Sequence, residues 1–379
     1  MGLGAEHKMS DKNPEMRDTA ARICRDYLHG VWKYVTAQNI ILKRISGGLS
    51  NWLYNIQLPE GTIPIRGEPR QVLLRLYGQI HGEKALEGLI TESVIFTLLS
   101  ERRLGPRLHG VFPGGRIEEY IPARPLLTKE LADFTLSSLI AEKIGQIHTM
   151  QIPISKEPNW IWDTMNNWLI IATDILENIE DIDIQHLDNI NAIKYINLEY
   201  EINWLKNLVM QQKYPVTFCH NDMQEGNILL RQNTRKPELV LIDFEYCSYN
   251  YRGFDIANHF AEWQYDYTAP EYPFFHERPS AGPTKEQKLN FIRAYLKKLG
   301  KEGSVEEHHI MMEIRVFSLA SHLFWGLWSI VNAKISQIPF GYWDYAASRL
   351  KNYMYLKEKI LASGPTLDGN LKRKSKDID

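Results

Sequence analysis

The stretch at residues 218–246, FCHNDMQEGNILLRQNTRKPELVLIDFEY, restricts this chain more than any other segment. His220-Asn221-Asp222 is followed by Asn227 and then by an apolar run, Ile228-Leu229-Leu230. A polar segment with Asn233, Arg235 and Pro237 reads as a turn. A second apolar run, Leu239 to Ile242, stops at Asp243-Phe244-Glu245. Two strands joined this way place Asp222, Asn227, Asp243 and Glu245 at one end of a hairpin. Carboxylates with one amide suit Mg²⁺, a hard cation that takes oxygen ligands. They also suit a hydroxyl that receives a phosphoryl group, a reaction that needs orientation, a proton acceptor and charge neutralisation. Asp222 is the candidate base. Asn227 and Asp243 are candidate metal ligands, and Glu245, on the same side as Asp243 in an extended chain, takes a second ion or orients Asp243.

The flanking sequence predicts two lobes of an α+β protein. Residues 1–17 read as disordered, and a helix from Asp18 to about Val35 is expected with Ile23, Tyr27, Val31 and Tyr34 on one face. Ile40 to Ile56 reads as strand, glycine turn (Ser46-Gly47-Gly48-Leu49-Ser50-Asn51) and strand, a shape that lets backbone N–H groups approach phosphate. Val72 to Gly78 is a strand carrying Arg75, and Glu92 opens a helix with Val94, Ile95, Leu98 and Leu99 on its periodic face. Ile121-Pro122-Ala123-Arg124-Pro125 marks a hinge. The expected domains are thus a nucleotide-binding lobe at 18–120, a larger, mostly helical catalytic and substrate-binding lobe at 121–362, and a mobile tail at 363–379.

Composition removes several function classes. The 379 residues carry 44 basic and 46 acidic side chains, a net charge of −2, which gives no basic field for nucleic acid. The three cysteines, Cys24, Cys219 and Cys247, form no CxxC motif and fit a reduced, intracellular setting. Cys219 beside His220 reads as a buried small side chain, since neighbours on a strand face opposite ways. Val316 to Val331 is apolar but shorter than a ~18-residue span and holds His322, so a buried core helix is expected and no integral membrane segment.

The His220–Asn227 and Asp243-Phe244-Glu245 segments resemble the catalytic loop and metal segment of the protein kinase-like fold. The departures are informative: Asp-Phe-Glu replaces Asp-Phe-Gly, Arg75 replaces a lysine, and no activation segment follows. These features match the branch that phosphorylates small molecules. Within it, ISGGLSNWLY (45–54), VLLRLYG (72–78), ESVIFTLLSERRLGPRLHGVF (92–112), FCHNDMQEGNILL (218–230) and LIDFEYCSYNYRGFDIANHFAEW (241–263) closely resemble the choline kinases, as does the segment from Ala320 to Tyr345. The resemblance implies ATP as co-substrate, Mg²⁺ as cofactor, choline as acceptor and a cytoplasmic homodimer serving phosphatidylcholine synthesis. It also implies that Ser50, Asn51, Arg75 and Gln224 lie near the nucleotide, with Glu92 pairing to Arg75, and that Asp255 braces the catalytic loop.

The 10 tryptophans and 19 tyrosines then acquire a purpose. A trimethylammonium has no N–H to donate and is held by aromatic faces and nearby negative charge. Trp325 and Trp328 are three residues apart, on one helix face. Tyr246, Tyr267, Phe340 and Tyr345 add rings, and Glu262 offers a counter-charge. Ethanolamine, alone or alongside choline, is the competing acceptor, because its primary ammonium asks for hydrogen-bond acceptors. A pseudokinase scaffold is the alternative from another class, and the joint presence of Asp222, Asn227 and Asp243 speaks against it.

Overall fold

The computed structural model describes residues 13–45, 51–77, 83–179, 184–232 and 234–362, with backbone only at 51, 83–87 and 184. The glycine turn with Ser50, most of the expected disordered N-terminus, the acidic residues 180–183 and the tail at 363–379 lie outside the described residues, as does the side chain of Asn51. The chain opens with α1 (Pro14–Tyr27), β1 (Ile41–Ile45), β2 (Asn51–Gln57), β3 (Gln71–Tyr77), α2 (Glu83–Glu101), β4 (Leu108–Phe112), β5 (Gly115–Glu119) and β6 (Ala123–Pro125). Then come α3 (Phe134–His148), α4 (Trp160–Glu177), α5 (Leu187–Lys194), α6 (Leu198–Met210), β7 (Val216–Cys219), β8 (Ile228–Arg231), β9 (Leu239–Leu241) and β10 (Ser248–Tyr251). The last elements are α7 (Arg252–Glu262), β11 (Tyr265–Asp266), β12 (His276–Glu277), α8 (Lys285–Leu299), α9 (Ser304–Ile335) and α10 (Tyr342–Ala362).

The chain divides into two compact units, one strand-rich and one helix-rich, as an α+β kinase-like protein requires. The first runs to Arg124 and takes back Leu229–Glu245; the second comprises Pro125–Ile228 and everything from Tyr246 onward. The uninterrupted lobes expected at 18–120 and 121–362 therefore give way to a discontinuous first unit. The segment between β8 and Glu245 belongs with the strands rather than with the helices that surround it in sequence. The expected pairing of 228–231 with 239–241 is present, since β8 and β9 are hydrogen-bonded neighbours.

The first unit is built on an antiparallel sheet in the order β1-β2-β3-β5-β4. Tyr54, Ile56, Val72, Leu74 and Ile117 point from it into a core closed by α1 and Trp32. Helix α1 starts at Pro14, not Asp18. The Asn13 side chain accepts from Glu15 N–H, and Pro14 occupies a position whose N–H would lack a partner anyway. Residues 14–17, expected to be disordered, are thus helical. The helix also stops at Tyr27, where Leu28 is extended, and a separate 3-10 turn spans Gly30–Tyr34. That break shifts the phase of the expected stripe. Met16, Ala20, Ile23 and Cys24 are buried, whereas Tyr34 is 81% exposed.

The second unit packs around α9, which contacts α4, α7 and α10. Phe317, Leu319, Leu323, Phe324 and Leu327 are fully buried along it. Each such side chain contributes roughly 1.5–3 kcal/mol by leaving water. By length and composition α9 could cross a membrane, but 83% of its most apolar window is buried inside the protein, consistent with the expected core helix. All three cysteines are buried and unbridged.

Candidate active site

In the first unit, register decides the electrostatics. Arg75 on β3 stands directly opposite Arg116 on β5. Two guanidinium groups so placed repel unless a carboxylate lies between them, and Glu118, two residues beyond Arg116 on the same strand face, supplies it. Its Oε1 accepts from Arg75 Nε and from Arg116 Nε, both at 2.7 Å. Burial works against the charge of Glu118, but the two arginines outweigh it and hold the carboxyl below its usual range. Glu92 on α2 binds Arg116 at 2.7 Å. The expected Arg75–Glu92 pair is therefore corrected: Arg75 pairs with Glu118, and Glu92 reaches the cation one strand further on. Sequence spacing identified the helix glutamate. It could not reveal Arg116 or Glu118, which become relevant only through cross-strand pairing.

Asp243 has a left-handed backbone, with φ of 63°. Such a conformation in a non-glycine residue costs free energy and persists where neighbours enforce it. Phe244 is the enforcing neighbour. It is buried, lies 6.0 Å from the ring of Phe96, and packs so tightly on Gly105 that an added Cβ there would fall 2.6 Å from its ring. The negative charge of Asp243 acts on Arg75, so both belong to one electrostatic neighbourhood. Glu245 is exposed.

In the second unit, the loop after β7 is suspended from α7. Asp255, in the first turn of that helix, accepts from the backbone N–H of His220 at 2.9 Å and of Asn221 at 2.8 Å. His148 Nε2, facing a carboxylate that can only accept, donates to it at 3.0 Å, and the Tyr295 hydroxyl lies 2.8 Å from His148 Nδ1. Burial opposes the charge of Asp255, and these donors hold its carboxyl below the usual range. The expected bracing role of Asp255 is therefore what its hydrogen bonds perform. His259, one turn further along α7, donates through Nδ1 to Met223 O at 2.8 Å and accepts at Nε2 from Trp263 at 3.2 Å. Burial lowers its pKa to about 4, so the ring is neutral and holds this tautomer.

The loop's side chains are likewise fixed. Asn221, at φ of 68°, donates to Tyr246 O at 2.8 Å and accepts from Asn250 at 2.9 Å. Asn227 Nδ2 donates to Asp222 Oδ2 at 2.8 Å and to Asp222 O at 2.9 Å. Both partners are acceptors, so the amide nitrogen faces Asp222 and the amide oxygen, the atom a cation can use, faces away. This orientation fits a metal ligand. Gln224 caps the short turn Glu225–Asn227 through Gly226 N–H, at 2.8 Å. Glu225, which the sequence reading passed over, is buried. Burial, together with the charges of Glu262 and Asp266, pushes its pKa up to about 8.

All seven predicted amine-binding side chains lie in this unit, in one run of contacts. Tyr246 meets Trp325 at 5.5 Å between ring centroids, and Trp325 meets Trp328 at 5.6 Å. Tyr342 continues the run from Trp328 at 5.9 Å to Phe340 at 5.1 Å, and Phe340 meets Tyr345 at 5.5 Å and Tyr267 at 6.3 Å. Tyr267 donates to Glu262 Oε2 at 2.7 Å, and Arg349 donates to Glu262 Oε1 and to Tyr345. Asn258 connects this wall to the loop. Its Oδ1 accepts from Trp325 Nε1 at 2.7 Å and from Ser321 at 2.8 Å, and its Nδ2 donates to Asn221 O at 3.4 Å. Arg349, Tyr342 and Asn258 escaped the sequence reading, because a lone arginine or asparagine on a helix carries no motif.

A braced His-x-Asp loop with its asparagine, an Asp-Phe-Glu segment and a buried strand arginine define a phosphotransferase of the protein kinase-like class. Over 91% of the chain and 96% of the other, the structure is similar to a choline kinase from Cryptosporidium parvum, with a TM-score of 0.75 and 28% identity. In sequence it is 44% identical over 364 residues to a choline/ethanolamine kinase of Mus musculus, covering 94% of this chain and 90% of that protein. It is 42% identical to choline kinase alpha of the same organism, covering 93% and 83%. The family model for choline/ethanolamine kinase matches residues 42–354. The chain belongs to the choline/ethanolamine kinase family, enzymes that phosphorylate choline or ethanolamine with ATP.

Proposed function

We propose that this chain transfers the γ-phosphoryl group of ATP to the hydroxyl of choline, and to that of ethanolamine as a second substrate. The observation that carries the reading is the link through Asn258. The loop bearing Asp222 and the aromatic wall bearing Trp325 are joined by hydrogen bonds to one side chain. An amine held on that wall has its position tied to the base. Aromatic faces at Tyr246, Trp325, Trp328 and Phe340 attract a trimethylammonium through their ring quadrupoles, by about 0.5–2 kcal/mol each.

The proton of the substrate hydroxyl passes to the carboxylate of Asp222 as the new O–P bond forms and the bond to the β-phosphate oxygen breaks, releasing ADP. Asn227 holds Oδ2 of Asp222, which fixes the carboxylate's rotation. Arg75, kept charged by Glu118, is assigned to the phosphates, together with Ser50, Asn51 and Gln224. Asn227, Asp243 and Glu245 are the side chains assigned to hold magnesium. When bound, Mg²⁺ neutralises phosphate charge. The same reading includes a cytoplasmic homodimer, checked by light scattering on the purified protein and by cell fractionation.

The test is kcat/KM for choline and ethanolamine with ATP and Mg²⁺. A preference of about tenfold or more for choline is expected. A strong preference for ethanolamine would overturn the choice of acceptor.

A further inference from the structure

Glu262 looks like the natural counter-charge for the bound amine, but both of its oxygens are spent. Oε1 is held by Arg349, and Oε2 accepts from Tyr267. The Arg349 guanidinium also neutralises the charge. Asp266 is equally committed, to Thr268 at 2.6 and 3.0 Å and to Arg278 at 2.9 Å. Glu225 differs. Its Oε1 accepts from Thr128 at 2.8 Å, while its Oε2 is buried with no hydrogen-bond partner, in a residue only 4% exposed. A buried carboxylate oxygen left unpaired is costly and calls for an explanation.

Its location supplies one. The loop carrying Glu225 is fastened to α7 by His259 and Met223, and α7 ends at Glu262. The charges of Glu262 and Asp266 act on Glu225, and the charge of Glu225 acts on the Tyr267 hydroxyl. The loop that carries the unpaired oxygen is thus held to the helix whose last residue, Glu262, bonds Tyr267 of the aromatic wall, and of these three acids Glu225 is the one with an oxygen left without a partner. A cation carrying an N–H would supply the hydrogen bond that Oε2 lacks. A trimethylammonium offers only methyl groups and would not.

Resting on the amine-kinase reading above, we propose that Glu225 receives the ammonium N–H of the substrate and sets how well primary and partly methylated amines compete with the quaternary one. Trp325 and its neighbours serve any alkylated ammonium. Glu225 rewards each amine that retains a proton to donate.

The experiment measures kcat and KM for ethanolamine, N-methylethanolamine, N,N-dimethylethanolamine and choline, for the parental enzyme and for Glu225→Gln. The substitution keeps the shape and turns one carboxyl oxygen into an amide NH₂, which donates and cannot receive the ammonium N–H. The loss in kcat/KM should be at least tenfold greater for ethanolamine than for choline, should lie mainly in KM, and should fall as methyl groups are added. Equal losses for all four amines, or no loss, would overturn the proposal and leave Glu225 a structural residue bonded to Thr128. Thr128→Val retains the carboxylate and frees its orientation, and should shift the same ratio in the same direction by a smaller factor. It decides the matter if Glu225→Gln melts earlier than the parent. If the parental enzyme phosphorylates none of the four amines, the function itself fails and this inference with it.

Discussion

Asp255→Asn is the most demanding test of how the catalytic loop is held. Three donors converge on the Asp255 carboxylate: the N–H groups of His220 and Asn221 and Nε2 of His148, at 2.8 to 3.0 Å. An asparagine of the same shape has one acceptor oxygen and places an NH₂ where the other acceptor stood. At least one buried donor then loses its partner, and the bonds that survive lose their charge. Hydrogen bonds to charged groups contribute about 1.5–3 kcal/mol each, and an unsatisfied buried donor costs about 1–3 kcal/mol. The expected loss is about 3 kcal/mol, which for a unit of this size lowers Tm by roughly 6–12 °C. Urea and thermal unfolding measure it. The pH dependence supplies the sign. The folded carboxyl lies below its unfolded value, so its contribution is complete above the unfolded pKa of about 3.9 and is lost as pH falls through the folded one. Parent and variant should therefore converge in stability in acid. A loss below about 1 kcal/mol at neutral pH, or a gap that persists unchanged in acid, would refute the bracing argument.

Asp222→Ala should reduce kcat by about 10²- to 10⁴-fold with an unchanged circular dichroism spectrum; near-parental turnover would remove Asp222 as the base. Trp325→Ala should raise KM for choline more than KM for ATP, since a ring face and the bond to Asn258 are both lost, whereas equal effects would make Trp325 a packing residue. Gly105→Ala places a methyl 2.6 Å from the Phe244 ring, so either the ring or the backbone beside Asp243 must move. About 1–3 kcal/mol of destabilisation is expected, with a fall in turnover, and an unperturbed variant would show that Phe244 does not fix Asp243.

What was legible in the sequence followed from local rules. The catalytic loop, its asparagine and the Asp-Phe-Glu segment could be found because their spacing is set along the chain. The amine wall was legible as a set, because aromatic residues at helical spacing announce a shared face. Partners fixed by register were not legible. Arg75 received the wrong carboxylate, since nothing in the sequence says that β5 lies beside β3 and faces Arg116 to Arg75. The start of α1 was missed for a smaller reason: Asn13-Pro14 is a cap and a first-turn proline, and the apolar period alone does not show it. Glu225 was overlooked because its significance lies in a bond it does not make.

Asn258 also constrains how this enzyme's substrate range could drift over generations. Replacing Trp325 with phenylalanine keeps a ring for the amine but removes the indole donor, leaving Asn258 Oδ1 with Ser321 alone. The same amide touches the backbone beside the base. A lineage that retunes the wall at this position therefore disturbs its catalytic loop in the same step. Changes at Phe340, which among the described residues bonds neither Asn258 nor Trp325, keep that amide's hydrogen bonds and form the easier road to a new amine.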